Sequence, residues 1–257
     1  MCAALAGCGQ PGGLGRADRD PSGVARPDES AYKAPPRLDG VVVGAAGLLT
    51  IAGHASPHAR VRVIGPGGDA QFALADGKGQ WRLNLPTAGK VRLFGLAMID
   101  GARVVQSEGY LAVTPDAGVA ELRAGAGARV ISTAPASLRL LALDLDTKGG
   151  AILSGEAPPG SRVQALVDGQ LKGSALADGR GEVSLALAEP LGFGDRRIDL
   201  RVGAQTRGFA VNLRPPTPPI GAPFVADRAP AGWRINWITP GGGLQSTLLV
   251  ASTRATP

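Results

Sequence analysis

His54 and His58 are the two histidines of the chain, and on a helix their H-x3-H spacing could hold a metal ion. Here they fall in a Ser/Pro stretch that reads as a turn, with no Cys and no third ligand nearby. They read as exposed loop histidines, and no metal is expected. Asp144 and Asp146 flank Leu145 in a run of strand character, so alternation puts both carboxylates on the solvent side. Calcium would need more oxygen ligands at proper spacing. A nucleophile requires an activating base and an orienting third group. The chain has no G-x-S-x-G, and its only histidines share one turn. Gly125-Ala126-Gly127 and Gly241-Gly242-Gly243 lack the Lys-Ser/Thr and the strand-to-helix context of a phosphate loop. The expectation is therefore a protein with no catalytic residue and no cofactor, not an enzyme.

One constellation remains. Aromatic residues make up 4% of the chain, so two tryptophans on one strand face stand out. Trp233, Ile235 and Trp237 share one face of a short alternating run, with Arg234 and Asn236 on the other. Two readings are open. The trio is an interaction surface, for sugar stacking or protein docking, or it covers an apolar patch on the module that directly precedes it, over 136–214.

The elements that would position these residues come from an internal repeat. Gly53 to Leu85 returns without a gap 102 residues later as Gly155 to Leu187. Ala73-Leu74-Ala75-Asp76-Gly77-Lys78-Gly79 answers to Ala175-Leu176-Ala177-Asp178-Gly179-Arg180-Gly181, and Gly53, Ala55, Pro57, Arg60 and Val61 match Gly155, Ala157, Pro159, Arg162 and Val163. The chain builds one module twice. Within each copy, short apolar or alternating runs are separated by Gly, Pro or Asp. Trp81, Leu83 and Leu85 alternate with Gln80, Arg82 and Asn84, and Val61 and Val63 with Arg60 and Arg62. Period-two alternation with frequent turns predicts an all-β antiparallel sandwich, and no stretch carries a capped helical stripe. Asp76 and Asp178 should bond local amides in glycine turns, and Val167-Asp168-Gly169-Gln170 should form a tight hairpin. Pro57 and Pro159 should bend the chain where it crosses between sheets.

The net charge is +6 at neutral pH, spread along the chain with acidic residues interleaved. Nucleic-acid binding needs a concentrated basic stripe with aromatics among it, so no nucleic-acid partner is expected. A mildly basic protein suits anionic lipid or polysaccharide. The two cysteines, Cys2 and Cys8, give no disulfide framework, so the folded modules rest on packing alone.

Two resemblances follow from particular residues. Gly155-Glu156-Ala157-Pro158-Pro159-Gly160-Ser161-Arg162-Val163, with Ala177-Asp178-Gly179-Arg180-Gly181-Glu182 after it, resembles bacterial Ig-like domains, which share a G-x-A-x-P-G-A-x-V stretch and an A-D-x-x-G-x-W stretch. The first copy keeps the tryptophan as Trp81 but carries His58 where the pattern favours Gly; the second keeps Gly160 but has Val183 for the tryptophan. At the other end, Leu5-Ala6-Gly7-Cys8 resembles the bacterial lipoprotein box. That resemblance implies a lipidated Cys8 at the mature amino terminus, held to the membrane by its acyl chains. The residue after Cys8 is Gly9, not the Asp of inner-membrane retention, which points to the outer membrane, on its periplasmic side or its surface. Few residues precede the box and none is basic, so the rest of the signal peptide is expected upstream of Met1.

Together these readings divide the chain into a signal remnant over 1–8, a flexible tether over 9–37, an Ig-like module over 38–115, a linker over 116–135 with a short strand at Arg129 to Ser132, a second Ig-like module over 136–214, and a proline-rich linker with a C-terminal hairpin over 215–257. The expected architecture is two tandem Ig-like antiparallel β-sandwiches plus a C-terminal β-hairpin. The expected role is a non-enzymatic, lipid-anchored envelope protein serving as spacer and interaction scaffold. The alternatives are a glycan-binding module pair acting through Trp233 and Trp237, or an accessory subunit of an adhesion or secretion assembly. The implied partners are the membrane and an envelope protein or glycan.

Overall fold

The computed structural model describes residues 32–131 and 137–251. The first copy and the segment after it form β1 (Arg37–Val43), β2 (Leu48–His54), β3 (Arg60–Ile64), β4 (Ala70–Leu74), β5 (Gln80–Pro86), β6 (Arg92–Asp100), β7 (Arg103–Val113), β8 (Val119–Arg123) and β9 (Arg129–Val130). Each apolar run expected to be a strand in this copy is one. Strands β1-β2-β5 make one sheet, and β4-β3-β6-β7-β8-β9 make the facing one. The second copy and its tail form β10 (Arg139–Asp146), β11 (Ala151–Glu156), β12 (Arg162–Val167), β13 (Gln170–Leu176), β14 (Glu182–Ala186), β15 (Gly194–Val202), β16 (Gln205–Leu213), β17 (Phe224–Ala229), β18 (Gly232–Ile238) and β19 (Leu244–Val250). Here β14-β11-β10-β19-β18-β17 faces β13-β12-β15-β16. Every copy thus splits seven repeated strands three against four, with the chain crossing between sheets after its second, fourth and fifth strands. These are the Greek-key connections of an immunoglobulin-type sandwich.

The inward phase of each alternating strand fills the cores. Val61, Val63, Trp81, Leu83 and Leu85 are buried in the first, Val163, Ala165, Val183 and Leu185 in the second. The repeated glycines answer to backbone geometry. In both copies the first two strands shift register at the same place, between Leu38 and Gly40 and between Leu140 and Ala142. A Cβ on Gly53 would lie 2.0 Å from the Arg37 carbonyl oxygen, and one on Gly155 2.4 Å from that of Arg139. The Asp turns form as expected. Asp76 Oδ1 accepts from the amides of Lys78 and Gln80 at 2.8 and 2.9 Å, and Asp178 Oδ1 accepts from those of Arg180 and Glu182 at the same distances. Gly79 and Gly181 close these turns at φ of +79° and +83°. The Asp168-Gly169 turn has positive φ at both residues, the geometry of a two-residue hairpin.

Two expectations about connections need correction. The stretch 116–135, read as a linker with a short strand at Arg129 to Ser132, holds that strand as β9 but also β8. Val119-Ala120-Glu121-Leu122 lies along β7, with Tyr110 opposite Leu122 and Ala112 opposite Ala120, because its apolar residues serve both faces of the sheet. The C-terminal hairpin forms as β18 and β19, but it is not a separate unit. Strand β19 pairs with β10 from Ala142 opposite Leu249 to Asp146 opposite Gln245, and β17 adds outside β18. A two-stranded ribbon alone is marginal in water, and joining an existing sheet removes that problem.

Candidate functional site

The trio singled out by aromatic content lies on β18, and its neighbours decide what it does. Trp237 and Ile235 are fully buried and Trp233 is half-buried. Alternation puts all three on the face of the β10–β17 sheet that points away from the second core. Leu249 and Ala142 share that face, and Phe224 and Ala226 extend it. What covers it is the first sandwich. Val91 and Leu93 by β6, Tyr110 and Ala112 on β7, Ala120 and Leu122 on β8, and Ala128 and Val130 by β9 complete one apolar cluster with the tryptophans. Tyr110 meets Trp237 edge to face, with ring centroids 5.8 Å apart and planes at 89°. The two extended sheets therefore stack on each other. Both readings of the trio are corrected: Ile235 and Trp237 have no exposed area, and the apolar patch they cover lies on the first module, not on the second. A glycan could not stack on Trp237 without prising the modules apart.

A polar network runs through this apolar layer. The Trp237 indole N–H donates to Thr247 Oγ1 at 3.1 Å, and the Thr247 hydroxyl donates in turn to Asp144 Oδ1. Gln245 Nε2 donates to the same oxygen at 2.8 Å. The other oxygen, Oδ2, accepts the Ala128 amide at 2.7 Å, a bond from the β8–β9 segment to the second sandwich. Asp144 is thus buried, not solvent-facing as alternation implied, since β19 and the first module close over it. Desolvation pushes its carboxyl above the ordinary aspartate range, against the pull of these three donors. Asp146 does face solvent, where its Oδ1 caps a turn by accepting the Lys148 and Gly150 amides.

The rim is charged. Trp233 Nε1 donates to Asp116 Oδ1 at 3.2 Å, and Arg228 Nη1 donates to Asp116 Oδ2 at 3.2 Å with its guanidinium 5.2 Å from the Trp233 ring centroid. Partial burial raises the Asp116 carboxyl, but the Thr114 hydroxyl and Arg228 more than offset it and hold it below its usual value. On another side, the Ser184 hydroxyl donates to the Ala126 carbonyl at 2.8 Å, and Arg129 pairs with Glu121 at 2.8 Å and reaches Glu182 at 3.7 Å.

His54 pairs through Nδ1 with Asp39. His58 takes a left-handed conformation, φ +61°, where the second copy has Gly160 at +73°. Among the described residues no group of three or more His, Cys, Asp or Glu is arranged to hold a metal ion, and no helix is long and apolar enough to cross a membrane. Cys8 and residues 1–31 lie outside the described residues.

No family model matches the chain, and no curated protein matches it. Solved structures do. A biofilm-associated protein BSP domain covers 72% of this chain at 12% identity and a TM-score of 0.24, and the chain spans 30% of that structure's length. The central fibronectin-III array of RIM-binding protein covers 81% at 13% identity and a TM-score of 0.28, and 73% of that array is spanned. At overlaps this loose, the fold rests on the strand order itself.

The residues that sequence alone missed are those on the first module's side, Tyr110, Leu93, Ala112, Leu122 and Asp116. A signal was there. Leu93-Phe94, Leu111-Ala112 and Leu141-Ala142-Leu143 are apolar in both strand phases, which marks strands covered on both faces.

Proposed function

We propose that this chain is a non-enzymatic, lipid-anchored protein of the bacterial cell envelope whose two Ig-like sandwiches act as one spacer and interaction scaffold. The observation that supports it is the sheet-on-sheet layer around Trp237. Domains joined by a small polar contact move independently, whereas an apolar layer with a bonded rim makes them a single arm. The buried carboxylate of Asp144 is taken up by three structural donors, which leaves it no substrate to meet. The anchor rests on the lipoprotein-box resemblance at Leu5-Ala6-Gly7-Cys8, and with it the outer-membrane address on the periplasmic side or the surface.

Mass spectrometry of the protein extracted from membranes of cells expressing the full gene should find Cys8 at the amino terminus carrying acyl chains. A soluble mature protein with an unmodified Cys8 would reject the anchor. The glycan alternative now has little footing, because its two tryptophans face the first module.

A further inference from the structure

The repeat exposes an asymmetry at one sheet edge. In the second copy, Ala142 to Asp146 of β10 is paired along its outer edge by β19. The same place in the first copy is Gly40-Val41-Val42-Val43-Gly44, and among the described residues β1 pairs only with β2. The amino-terminal end of β1 is closed, since the Leu38 amide donates to Glu121 Oε1 and the Leu38 carbonyl accepts from Arg129. Among the described residues the Gly40–Gly44 stretch has no such cover. Val42 is 65% exposed and Val43 58%, and a Cβ on Gly40 would meet nothing within 4 Å. Unpaired strand edges are usually blunted by Lys, Pro or a charge. The edge strand β13 carries Lys172, β17 carries Asp227 and Arg228, and β5 ends in Pro86; β1 has its charges, Arg37 and Asp39, before this stretch, which like the edge strand β4 carries none.

We propose that the Gly40–Gly44 edge of β1 is a self-association site, in which two copies of this chain pair antiparallel about a two-fold axis at Val42. The occupant is named by the segment's own order. Gly-Val-Val-Val-Gly reads the same in both directions, so the two-fold sets Val42 opposite Val42, Val41 opposite Val43 and Gly40 opposite Gly44. Each pair falls in one strand phase, as antiparallel register demands. Beyond Gly44 the chain enters a 3-10 turn over Ala45–Gly47, so the pairing ends there and Arg37 and Asp39 are not brought against like charges. The product is a six-stranded sheet, β5-β2-β1 continued by β1-β2-β5 of the second copy. It matches in width the sheet that β17–β19 already complete in the second module. The contact is isologous and closes at two. A five-residue edge buries far less than the roughly 1,200–2,000 Å² of a stable complex, so the dimer is weak in dilute solution. The site does not depend on the lipid anchor.

Sedimentation velocity of the purified chain from about 10 μM to about 1 mM should show a rising average mass. Val42→Lys sets two ammonium groups opposite each other and should weaken the dimer by tenfold or more, on the order of 1.4 kcal/mol, while an unchanged melting temperature shows that the fold is intact. Val42→Cys, in a background of Cys2→Ser and Cys8→Ser, should oxidise to a disulfide-linked dimer, and Leu48→Cys at an exposed neighbouring position should not. Three results would overturn the proposal: a monomer at the highest concentration, self-association indifferent to Val42→Lys, or equal crosslinking of the two cysteine variants. A monomer whose β1 instead binds a synthetic peptide of the Leu244–Val250 sequence would assign the edge to a foreign strand and equally reject self-pairing.

Discussion

The two copies carry the same seven strands and the same Asp turn before the fifth, yet each is extended on a different sheet. The first adds β8 and β9 beyond β7; the second adds β19, β18 and β17 beside β10. The two widened sheets are the ones that face each other. What repeats therefore builds two separate cores, and what does not repeat builds the joint between them. Val42 and Asp144 occupy equivalent positions and show the consequence. One lies exposed on a free edge; the other is sealed under β19 and the first module, where four residues hold it directly or in relay.

Removing the joint while leaving the repeated cores intact is the strongest way to break this division. Trp237→Ala deletes a fully buried indole, its edge contact with Tyr110 and its bond to Thr247. The expected loss is about 3–5 kcal/mol, the usual range for truncating a buried tryptophan. Because Trp237 lies outside both sandwich cores, the loss should also uncouple them. Calorimetry should show the single unfolding transition of the parent chain split in two. A uniform downward shift of one transition would mean that the joint does not couple the modules.

The cores were legible from sequence because strands such as β5 alternate, with Trp81, Leu83 and Leu85 turned inward and Gln80, Arg82 and Asn84 outward. The repeated turns were legible because Asp76 and Asp178 act through backbone amides only a few residues away. The joint was not, for two physical reasons. Apolar residues in both phases along β6 to β8 state that both faces are covered, but not by what. And the burial of Asp144 depends on Gln245 and Thr247, a hundred residues further along the chain, so local alternation placed it in solvent. Trp233, Ile235 and Trp237 were correctly placed on one face, while the surface opposite them was invisible without the fold.

Asp144 gives a second, smaller way to sharpen the contrast with Val42. Desolvation raises its folded-state pKa above the unfolded value of about 3.9, so the folded chain holds this proton more tightly than the unfolded one does. Stability from this group is then complete below the unfolded pKa and is lost as pH rises through the folded one. Urea unfolding at stepped pH, compared with Asp144→Asn, should show the parent losing ground to the variant as pH rises across that window. The charge of Arg123 opposes the rise but does not reverse it. Parallel curves would mean that its three donors balance its burial, and a parent gaining on the variant as pH rises would mean that they outweigh it.

The smallest effect lies inside the repeat, where the copies differ by one residue at one backbone conformation. His58 and Gly160 both sit in the left-handed region just after the Pro57 and Pro159 bends. An L-residue there costs about 1–2 kcal/mol, whereas glycine avoids the strain but loses more chain entropy on folding. These terms oppose each other, so His58→Gly should stabilise by no more than about 1 kcal/mol, and Gly160→His should destabilise by a similar amount. The space around Gly160 is open, so backbone strain and not crowding would be what the second variant reports. Measured by chemical denaturation, opposite signs for the two swaps would show that the bend is the same device in both copies. A destabilised His58→Gly would instead mean that the imidazole, which lies within 4 Å of where a side chain on Gly77 would begin, contributes packing that the second copy does without.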